Sequence, residues 1–220
     1  MPVSRASNFG NPHIGLFAKA SDNMVSADVS ASEKFIESLA GLKVPIIKST
    51  FGGSGLAGIF LAINSNGAVL PGFCTQEEKA LFKNQGLSVE TLPGRFSAAG
   101  NNIAANDKSA VINPGIRGKE RKKISDCLGV EAVPMKIAGY ATAGSCIVAT
   151  NRGFAAHNRA TEQELKELES IFGVKGSNCT LNVGVPFVSL GAIANSKAAV
   201  FGELSTGFEV GRAAEALSAL

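Results

Sequence analysis

A repeat of about 44 residues is the feature that most constrains how this chain of 220 residues can fold. Five glutamates recur at intervals of 45, 42, 44 and 45 residues, each at the predicted start of a helix: Glu33, Glu78, Glu120, Glu164 and Glu209. Such a period indicates one supersecondary unit used five times. Because a unit of this size is near the lower limit for a self-sufficient core, we expect the copies to pack against one another.

Capping boxes mark the start of four of the five predicted helices. In such a box a Ser or Thr hydroxyl accepts from the backbone N–H three residues on, and a Glu there reaches back to the N–H of the cap. The predicted pairs are Ser30 with Glu33, Thr75 with Glu78, Thr161 with Glu164 and Thr206 with Glu209; the third copy has Arg117 at the cap position. Glycines eight or nine residues after four of the glutamates predict helix ends, at Gly41, Gly86, Gly129 and Gly173.

Short apolar segments between the helices supply the predicted strands. The first strand of each copy is expected at 15–18, 58–63, 103–105, 146–149 and 191–194. A polar turn and a second strand follow, as at 68–70, 110–112 and 198–201, and a third strand follows the helix, as at 44–47 and 130–133. The predicted unit is therefore strand, polar turn, strand, helix, strand, and the fold class is α+β.

The fifth copy lacks its last strand, because its helix is predicted to run to the end of the chain. An unpaired sheet edge exposes a row of backbone donors and acceptors. We therefore expect residues 3–7 to pair into the last unit and close the set of five around an axis. No linker interrupts the repeat, so the prediction is one closed domain spanning residues 1–220.

Composition indicates a soluble globular protein, with 45% apolar and 18% charged residues. No segment approaches the roughly 18 consecutive apolar residues of a membrane helix. The first residues lack a basic start followed by an apolar run, so no secretory signal is predicted. We expect a cytoplasmic protein that does not contact a membrane, and a monomer. A net charge of +3 is too small to indicate nucleic-acid binding by itself.

The cysteines are predicted to be core residues. Cys74, Cys127, Cys146 and Cys179 form no CxxC pair and have no metal-like spacing with the two histidines. Their neighbours are apolar, and a free cysteine packs as a small hydrophobic residue. We therefore expect no metal site.

The polar turns carry the residues that we predict to bind a partner. Asparagines recur there at intervals of 42, 45 and 44 residues, as Asn64, Asn106, Asn151 and Asn195. Cations follow them, as Lys108, Arg152 and Lys197, with Lys19 in a similar place in the first copy. Repetition would place these turns on one rim, where amides and cations suit an RNA–protein surface. The alternative is that the asparagines only close their turns through bonds to the backbone. The basic run 117–123 is predicted to be a solvated outer face.

Four longer segments resemble the translation initiation factor 6 family, the ribosome anti-association factors of archaea and eukaryotes. They are Arg5-Ala6-Ser7 with the later IGLFAKAS, GRFSAAGNNIAANDKSAVINP at 94–114, GSCIVATNRGFAAH at 144–157 and TLNVGVPFVSLGAIANSKAAVFGELST at 180–206. The resemblance covers essentially the whole chain. It implies the pentein fold, a five-bladed β/α propeller with pseudo-fivefold symmetry.

The activity implied by this resemblance is binding. Members of the family bind the large ribosomal subunit, with its RNA and proteins, on the face that would meet the small subunit. They thereby prevent premature joining, and they accompany large-subunit maturation. No substrate is turned over and no cofactor is needed. Because eukaryotic members carry a further C-terminal tail, the sequence is expected to be the archaeal form, without tail-based regulation.

The same fold implies an alternative of another class, a guanidine-modifying enzyme such as an arginine deiminase or amidinotransferase. Such an enzyme needs a cysteine nucleophile, a histidine for proton transfer and carboxylates that hold the guanidinium. These enzymes place the nucleophile in the final repeat, but no cysteine follows Cys179. His157 is the candidate base, and Asp22 and Asp107 are the only carboxylates near the turns. A third alternative is a protein-binding ring without ribosomal contact. The sequence favours the ribosome-binding function over both.

Overall fold

The computed structural model describes residues 1–218 and has a mixed α+β architecture with five small three-stranded sheets. The strands are β1 (Val3–Ala6), β2 (Ala18–Ala20), β3 (Val25–Asp28), β4 (Ile46–Ser49), β5 (Ala62–Ile63), β6 (Gly67–Pro71), β7 (Ser88–Leu92), β8 (Ile103–Ala105), β9 (Ser109–Ile112), β10 (Glu131–Pro134), β11 (Ile147–Ala149), β12 (Phe154–His157), β13 (Gly176–Cys179), β14 (Ala192–Ala194) and β15 (Ala199–Gly202).

The α-helices are α1 (Glu33–Leu39), α2 (Ala57–Phe60), α3 (Gln76–Lys83), α4 (Ala99–Asn102), α5 (Gly118–Leu128), α6 (Ala143–Cys146), α7 (Glu162–Phe172), α8 (Val188–Gly191) and α9 (Gly207–Ser218). Short 3-10 helices cover Ile14–Leu16, Ala40–Leu42 and Gly94–Phe96. The predicted course of the fifth long helix to residue 220 ends outside the described residues. No helix within 1–218 combines the length and apolar character needed to cross a membrane.

Each sheet has the same topology, which confirms the predicted unit. An inner strand pairs antiparallel with a middle strand, and the middle strand pairs parallel with an outer strand. The sheet orders, from inner to outer strand, are β2-β3-β4, β5-β6-β7, β8-β9-β10, β11-β12-β13 and β14-β15-β1, and they define units one to five.

The chain start completes the fifth sheet, as predicted. Strand β1 pairs parallel with β15, with Val3 opposite Ala199 and Ala6 opposite Gly202. The inner strands contact one another in the order β2, β5, β8, β11, β14, and β14 contacts β2. The contacts between units therefore return to their starting point.

The first strand is confirmed at 103–105 in the third unit and is shorter than predicted in the other four units, because a single helical turn precedes it. The segment expected as a strand at 58–63 is α2 followed by the two-residue β5, and at 15–18 a 3-10 helix comes before β2. Glycines cause the difference. A Cβ at Gly58 would collide with the carbonyl oxygen of Gly15, and one at Gly100 would collide with the carbonyl oxygen of Gly58. The glycines thus allow the helical turns of neighbouring units to touch.

Three of the four predicted capping boxes are confirmed, at Thr75 with Glu78, Thr161 with Glu164 and Thr206 with Glu209. The first is wrong. Ser32 caps α1 by accepting from the Phe35 N–H at 3.3 Å, so Glu33 is the first helical residue. Ser30 instead bonds to the Asp28 carboxylate, because it lies in the preceding turn. The cap positions recur at intervals of 43, 42, 44 and 45, as Ser32, Thr75, Arg117, Thr161 and Thr206.

The predicted helix ends are confirmed at Gly129 and Gly173, which cap α5 and α7 in the left-handed conformation. Gly86 is also left-handed, but it lies two residues beyond the cap residue Asn84. The prediction at Gly41 is wrong. This residue lies inside the 3-10 helix that extends α1, and the left-handed residue is Lys43, with φ of 56°.

The core lies between units, as the short repeat requires. One cluster of buried side chains joins Ala104 and Val111 of the third unit to Phe154 and Phe172 of the fourth. Cys74, Cys127, Cys146 and Cys179 are buried and free, which confirms their assignment to the core. Burial of a Leu or Phe stabilises the fold by about 1.5–3 kcal/mol. Because that burial depends on the neighbouring unit, we expect the units to unfold together.

Deletion of residues 2–8 should lower the free energy of unfolding of the whole domain. It removes the bonds from Ala199 N–H to Pro2 O, from Glu203 N–H to Ala6 O and from Arg5 to Ser205 O. At about 1 kcal/mol each, these three bonds account for about 3 kcal/mol. Thermal unfolding followed by circular dichroism measures the change. Identical melting of the truncated and intact proteins would contradict closure by β1.

Gly100→Ala should destabilise the domain by about 1–3 kcal/mol, the usual effect of overpacking. The added Cβ would also lie 2.7 Å from the Leu61 carbonyl oxygen. The matched control is Gly211→Ala in α9, where a Cβ meets no atom within 4 Å. This control should be neutral or stabilising by about 0.5–1 kcal/mol, because alanine favours a helix. Urea unfolding of both variants tests the close approach, and equal effects would refute it.

Candidate functional site

Five polar turns connect the inner and middle strands of the five sheets, at 21–24, 64–66, 106–108, 150–153 and 195–198. We call this set the polar rim. Because every sheet repeats the same inner-to-middle connection, the turns emerge at the same end of the sheets. Hydrogen bonds between neighbouring turns confirm that they lie side by side.

The first residue of each turn is buried and closes the turn. Asn106 is 4% exposed, and its Oδ1 accepts from the backbone N–H groups of Lys108 and Ser109, both at 2.9 Å. Thr150 does the same with its hydroxyl in the fourth turn. The equivalent residues are Ser21, Asn64, Asn106, Thr150 and Asn195, so Asn151 belongs to the next position of its turn. The alternative interpretation of the asparagines, as residues that close turns, accounts for these contacts.

The amide nitrogens of the same asparagines reach into the following unit. Asn106 Nδ2 donates to Thr150 O and Phe172 O, both at 3.1 Å. Asn64 Nδ2 donates to Leu128 O at 2.8 Å, and Asn195 Nδ2 reaches Leu42 O at 2.9 Å. The Leu128, Phe172 and Leu42 carbonyls end helices, where four carbonyl groups have no partner within the helix. These three turns are thereby fastened to the helix of the next unit.

The second residue of each turn forms a chain of hydrogen bonds around the axis. Ser65 N–H donates to Asp107 Oδ1 at 2.7 Å, and Asp107 N–H donates to Asn151 Oδ1 at 2.9 Å. Asn151 N–H donates to Ser196 Oγ at 3.2 Å, and Ser196 N–H donates to Asp22 Oδ1 at 2.7 Å. The sequence repeat does not predict this chain when Asn151 is aligned with Asn106. The cap spacing of 43, 42, 44 and 45 residues, which the rim shares, would have revealed it.

The two carboxylates of the rim are already occupied by protein donors. Asn151 Nδ2 donates to Asp107 Oδ2 at 2.6 Å and to Asp22 Oδ2 at 2.8 Å. Over residues 1–218, no group of three or more His, Cys, Asp or Glu side chains is arranged to hold a metal ion. The aspartates therefore act here as hydrogen-bond acceptors that brace the rim.

The third residue of each turn is exposed and forms the tip of the turn. These residues are Asn23, Asn66, Lys108, Arg152 and Lys197, so the cations occupy three consecutive units. Lys108 Nζ donates to Gly173 O at 3.0 Å, and Lys197 Nζ lies 3.4 Å from Asp22 O. In the described part of the chain, the Arg152 guanidinium has no hydrogen-bond or ion-pair partner. The result is a positively charged arc on units three to five.

Lys19 is not part of the rim, contrary to its predicted place. It lies in β2 and lines a cavity of about 30 Å³ between the inner strands, a volume that admits one or two water molecules. Burial lowers the pKa of Lys19 to about 8. The tip of the first turn is Asn23 instead, because Ser21 holds the position of the turn-closing asparagines.

The basic run at 117–123 lies at the start of α5, on the outer surface as predicted. Three of its cations pair with acids: Arg121 with Glu131 at 3.7 Å, Lys122 with Asp126 at 2.7 Å and Lys123 with Glu90 at 3.3 Å. Exposed pairs of this kind contribute little to stability. They do neutralise much of the local charge.

The residues that a guanidine-modifying enzyme would need do not form one reactive site. Cys179 and His157 face each other on paired strands, but burial raises the pKa of the Cys179 thiol to about 12. The reactive thiolate is therefore disfavoured. Burial lowers the pKa of His157, whose ring packs against Tyr140 and Phe187. The rim aspartates lie at the other end of the sheet, since His157 ends the middle strand that the rim begins.

This α+β protein consists of five interlocked sheet-and-helix repeats and has a braced polar rim. It belongs to the class of repeat proteins that present a rigid surface. Comparison with known proteins identifies the family. The model of the eIF-6 family matches residues 3–216. The chain therefore belongs to the eIF-6 family.

Individual relatives match over their full length. The Translation initiation factor 6 of Haloquadratum walsbyi is 36% identical over 218 residues, which cover 98% of this chain and 96% of that protein. The protein of the same name from Pyrococcus abyssi is 36% identical over 224 residues and covers 99% of both chains. The one from Thermococcus onnurineus is 36% identical over 227 residues and covers 100% of both.

Asn106→Ala should lower the free energy of unfolding by at least about 3 kcal/mol. It leaves the buried Ser109 N–H and the buried Thr150 and Phe172 carbonyls without their partner, and each unsatisfied buried group costs about 1–3 kcal/mol. The control is Asn158→Ala, an exposed asparagine whose side chain makes no hydrogen bond within residues 1–218. It should change stability by less than about 0.5 kcal/mol. Equal urea midpoints for the two variants would show that the rim does not join the units.

Proposed function

We propose that this protein binds the large ribosomal subunit and prevents its association with the small subunit, with a linked role in large-subunit maturation. Membership of the eIF-6 family supports the proposal, as do full-length relatives that carry the name Translation initiation factor 6. Blocking of this kind requires a rigid body on the joining face rather than a catalytic centre. The protein acts as a cytoplasmic monomer, without enzymatic activity.

A single closed pentein ring over residues 1–220 is the architecture that goes with this function. The return of the inner-strand contacts from β14 to β2 supports closure, and so does the pairing of β1 with β15. The asparagine bonds from three of the turns to the next unit also support it. A ring braced in this way loses little conformational entropy when it docks, which favours binding.

The polar rim is the surface that meets the large subunit. The observation that carries this assignment is the arc of exposed cations on three consecutive turns, Lys108, Arg152 and Lys197. These side chains contact phosphates of ribosomal RNA, and the partly buried Asn151 lies beside them. The buried Asn64, Asn106 and Asn195 hold the turns in place beneath the contact surface. Phosphate contacts set position and affinity without reading sequence, which suits a fixed ribosomal site.

Charge reversal at two rim positions tests the assignment. The double variant Arg152→Glu and Lys197→Glu should weaken binding to purified large subunits, because RNA phosphates repel the added negative charge. The control Lys122→Glu and Lys123→Glu makes the same change in net charge on α5 and should do much less. Binding of both variants is measured at two salt concentrations. Because few phosphates are contacted, the salt dependence of the unmodified protein should be shallow.

The two variants also provide the result that would refute the assignment. If the α5 variant loses affinity and the rim variant does not, the wrong surface has been assigned. Because all four side chains are exposed, both variants should unfold at the same temperature as the unmodified protein. Unchanged thermal unfolding then shows that any lost binding comes from the changed surface.

A further inference from the structure

The third unit departs from its neighbours at the end of the sheets opposite the polar rim. In the second unit, the capping Glu78 also accepts from Gly52 N–H at 2.8 Å and Gly53 N–H at 3.1 Å, and so holds the tip of a hairpin. The corresponding glutamates of units four and five hold their hairpins in the same way. In the third unit the 3-10 helix Gly94–Phe96 replaces the hairpin. Across residues 1–218, nothing donates a hydrogen bond to the equivalent Glu120.

An open groove takes the place of that contact. It has a volume of about 390 Å³ and lies between segments 93–96 and 115–120, so we call it the third-unit groove. Its walls include Arg95, Phe96, Arg117 and Glu120. The Arg95 guanidinium lies over the Phe96 ring, 4.8 Å from its centroid. Among the residues described, neither arginine forms an ion pair.

The groups of the groove differ in what they can bind. The Arg117 guanidinium donates only its Nε–H, to Pro114 O at 3.3 Å, so its other N–H groups face solvent. A guanidinium fork matches the oxygens of a phosphate. The Arg95 guanidinium rests with one face on Phe96, which leaves the other face for stacking. Glu120 adds an acceptor for an amino or hydroxyl donor.

This combination favours a nucleotide over a simple anion. An inorganic phosphate or an acidic peptide would meet the Arg117 charge but be repelled by Glu120. A nucleotide carries a phosphate, a flat base and neutral donor groups, so it satisfies all three protein groups together. Proteins recognise unpaired RNA bases by such stacking on aromatic or arginine planes. The groove volume lies within the range of about 300–1,000 Å³ typical of small-ligand sites.

We infer that the third-unit groove binds one unpaired nucleotide of RNA, with its phosphate at Arg117, its base stacked on Arg95 and an amino or hydroxyl group bonded to Glu120. The choice of RNA as the source of the nucleotide rests on the proposed function. The groove lies on the face opposite the polar rim, so it is a second RNA contact rather than part of the first.

Binding of a single-stranded hexa-adenylate RNA to the isolated protein tests this inference without ribosomes. Addition of this RNA to ¹⁵N-labelled protein should shift amide resonances of residues 94–96 and 115–120. Fluorescence anisotropy gives the affinity. The variant Arg95→Ala with Arg117→Ala should bind about tenfold or more weakly, within the range that loss of one stacked base and one phosphate contact produces. The control Lys122→Ala with Lys123→Ala, which removes the same charge, should stay within about twofold, because the groove contacts are intact.

Competition then identifies the chemistry of the ligand. Adenosine monophosphate should displace the RNA at concentrations where inorganic phosphate does not. If inorganic phosphate displaces the RNA as well as adenosine monophosphate does, the groove is a simple anion site. If a polyglutamate peptide binds more tightly than the RNA, the groove is a site for acidic protein. Either result overturns the inference. Equal weakening in the two double variants, or resonance shifts confined to the polar rim, would also overturn it.

The test of the third-unit groove can fail without refuting the proposed function. If hexa-adenylate fails to bind but the protein still binds purified large subunits, the groove is refuted and the proposed function stands. Unchanged amide dispersion in the variants shows that they are folded. The milder Arg117→Lys keeps the charge but loses the fork, so it should weaken binding less than Arg117→Ala.

Discussion

The fold depends on the bonds that join four of the five polar turns to the end of the next unit's helix. A repeat of about 44 residues cannot bury enough apolar surface alone. Asn64, Asn106 and Asn195 each close their own turn with the side-chain oxygen and cap the following unit with the nitrogen. One amide therefore satisfies backbone groups of two units at once. Because these groups are buried, the loss of a unit would leave its neighbour with unsatisfied carbonyls.

Within the polar rim, the residues that hold the turns in place differ from the residues that are exposed to a partner. The first position of each turn is buried and structural, the second forms the chain around the axis, and only the third is exposed. The exposed position carries a cation in three units, as Lys108, Arg152 and Lys197, while the buried first position holds each of these turns. At the opposite end, the capping glutamates hold hairpins in units two, four and five. The third unit lacks this contact, and the third-unit groove results.

Much of the fold could be predicted from the sequence, because capping and strand signals are local. Thr75, Thr161 and Thr206 cap their helices as predicted, and the missing fifth strand required the chain start. The errors came from one misplaced helix cap and from contacts between distant residues. Glu33 matched the glutamate period although its helix is capped by Ser32. Gly58 was assigned to a strand, because the backbone that approaches it belongs to another unit. For the rim, sequence located the turns but could not show that Asn106 is buried while Lys108 is exposed.

The most direct test of the account is co-sedimentation of the protein with purified large and small ribosomal subunits at near-physiological salt. A rigid ring that docks through the rim should sediment with the large subunit and not with the small one. Bound protein should also reduce the fraction of joined ribosomes when the two subunits are mixed. Equal binding to both subunits, or binding to neither, would contradict the account.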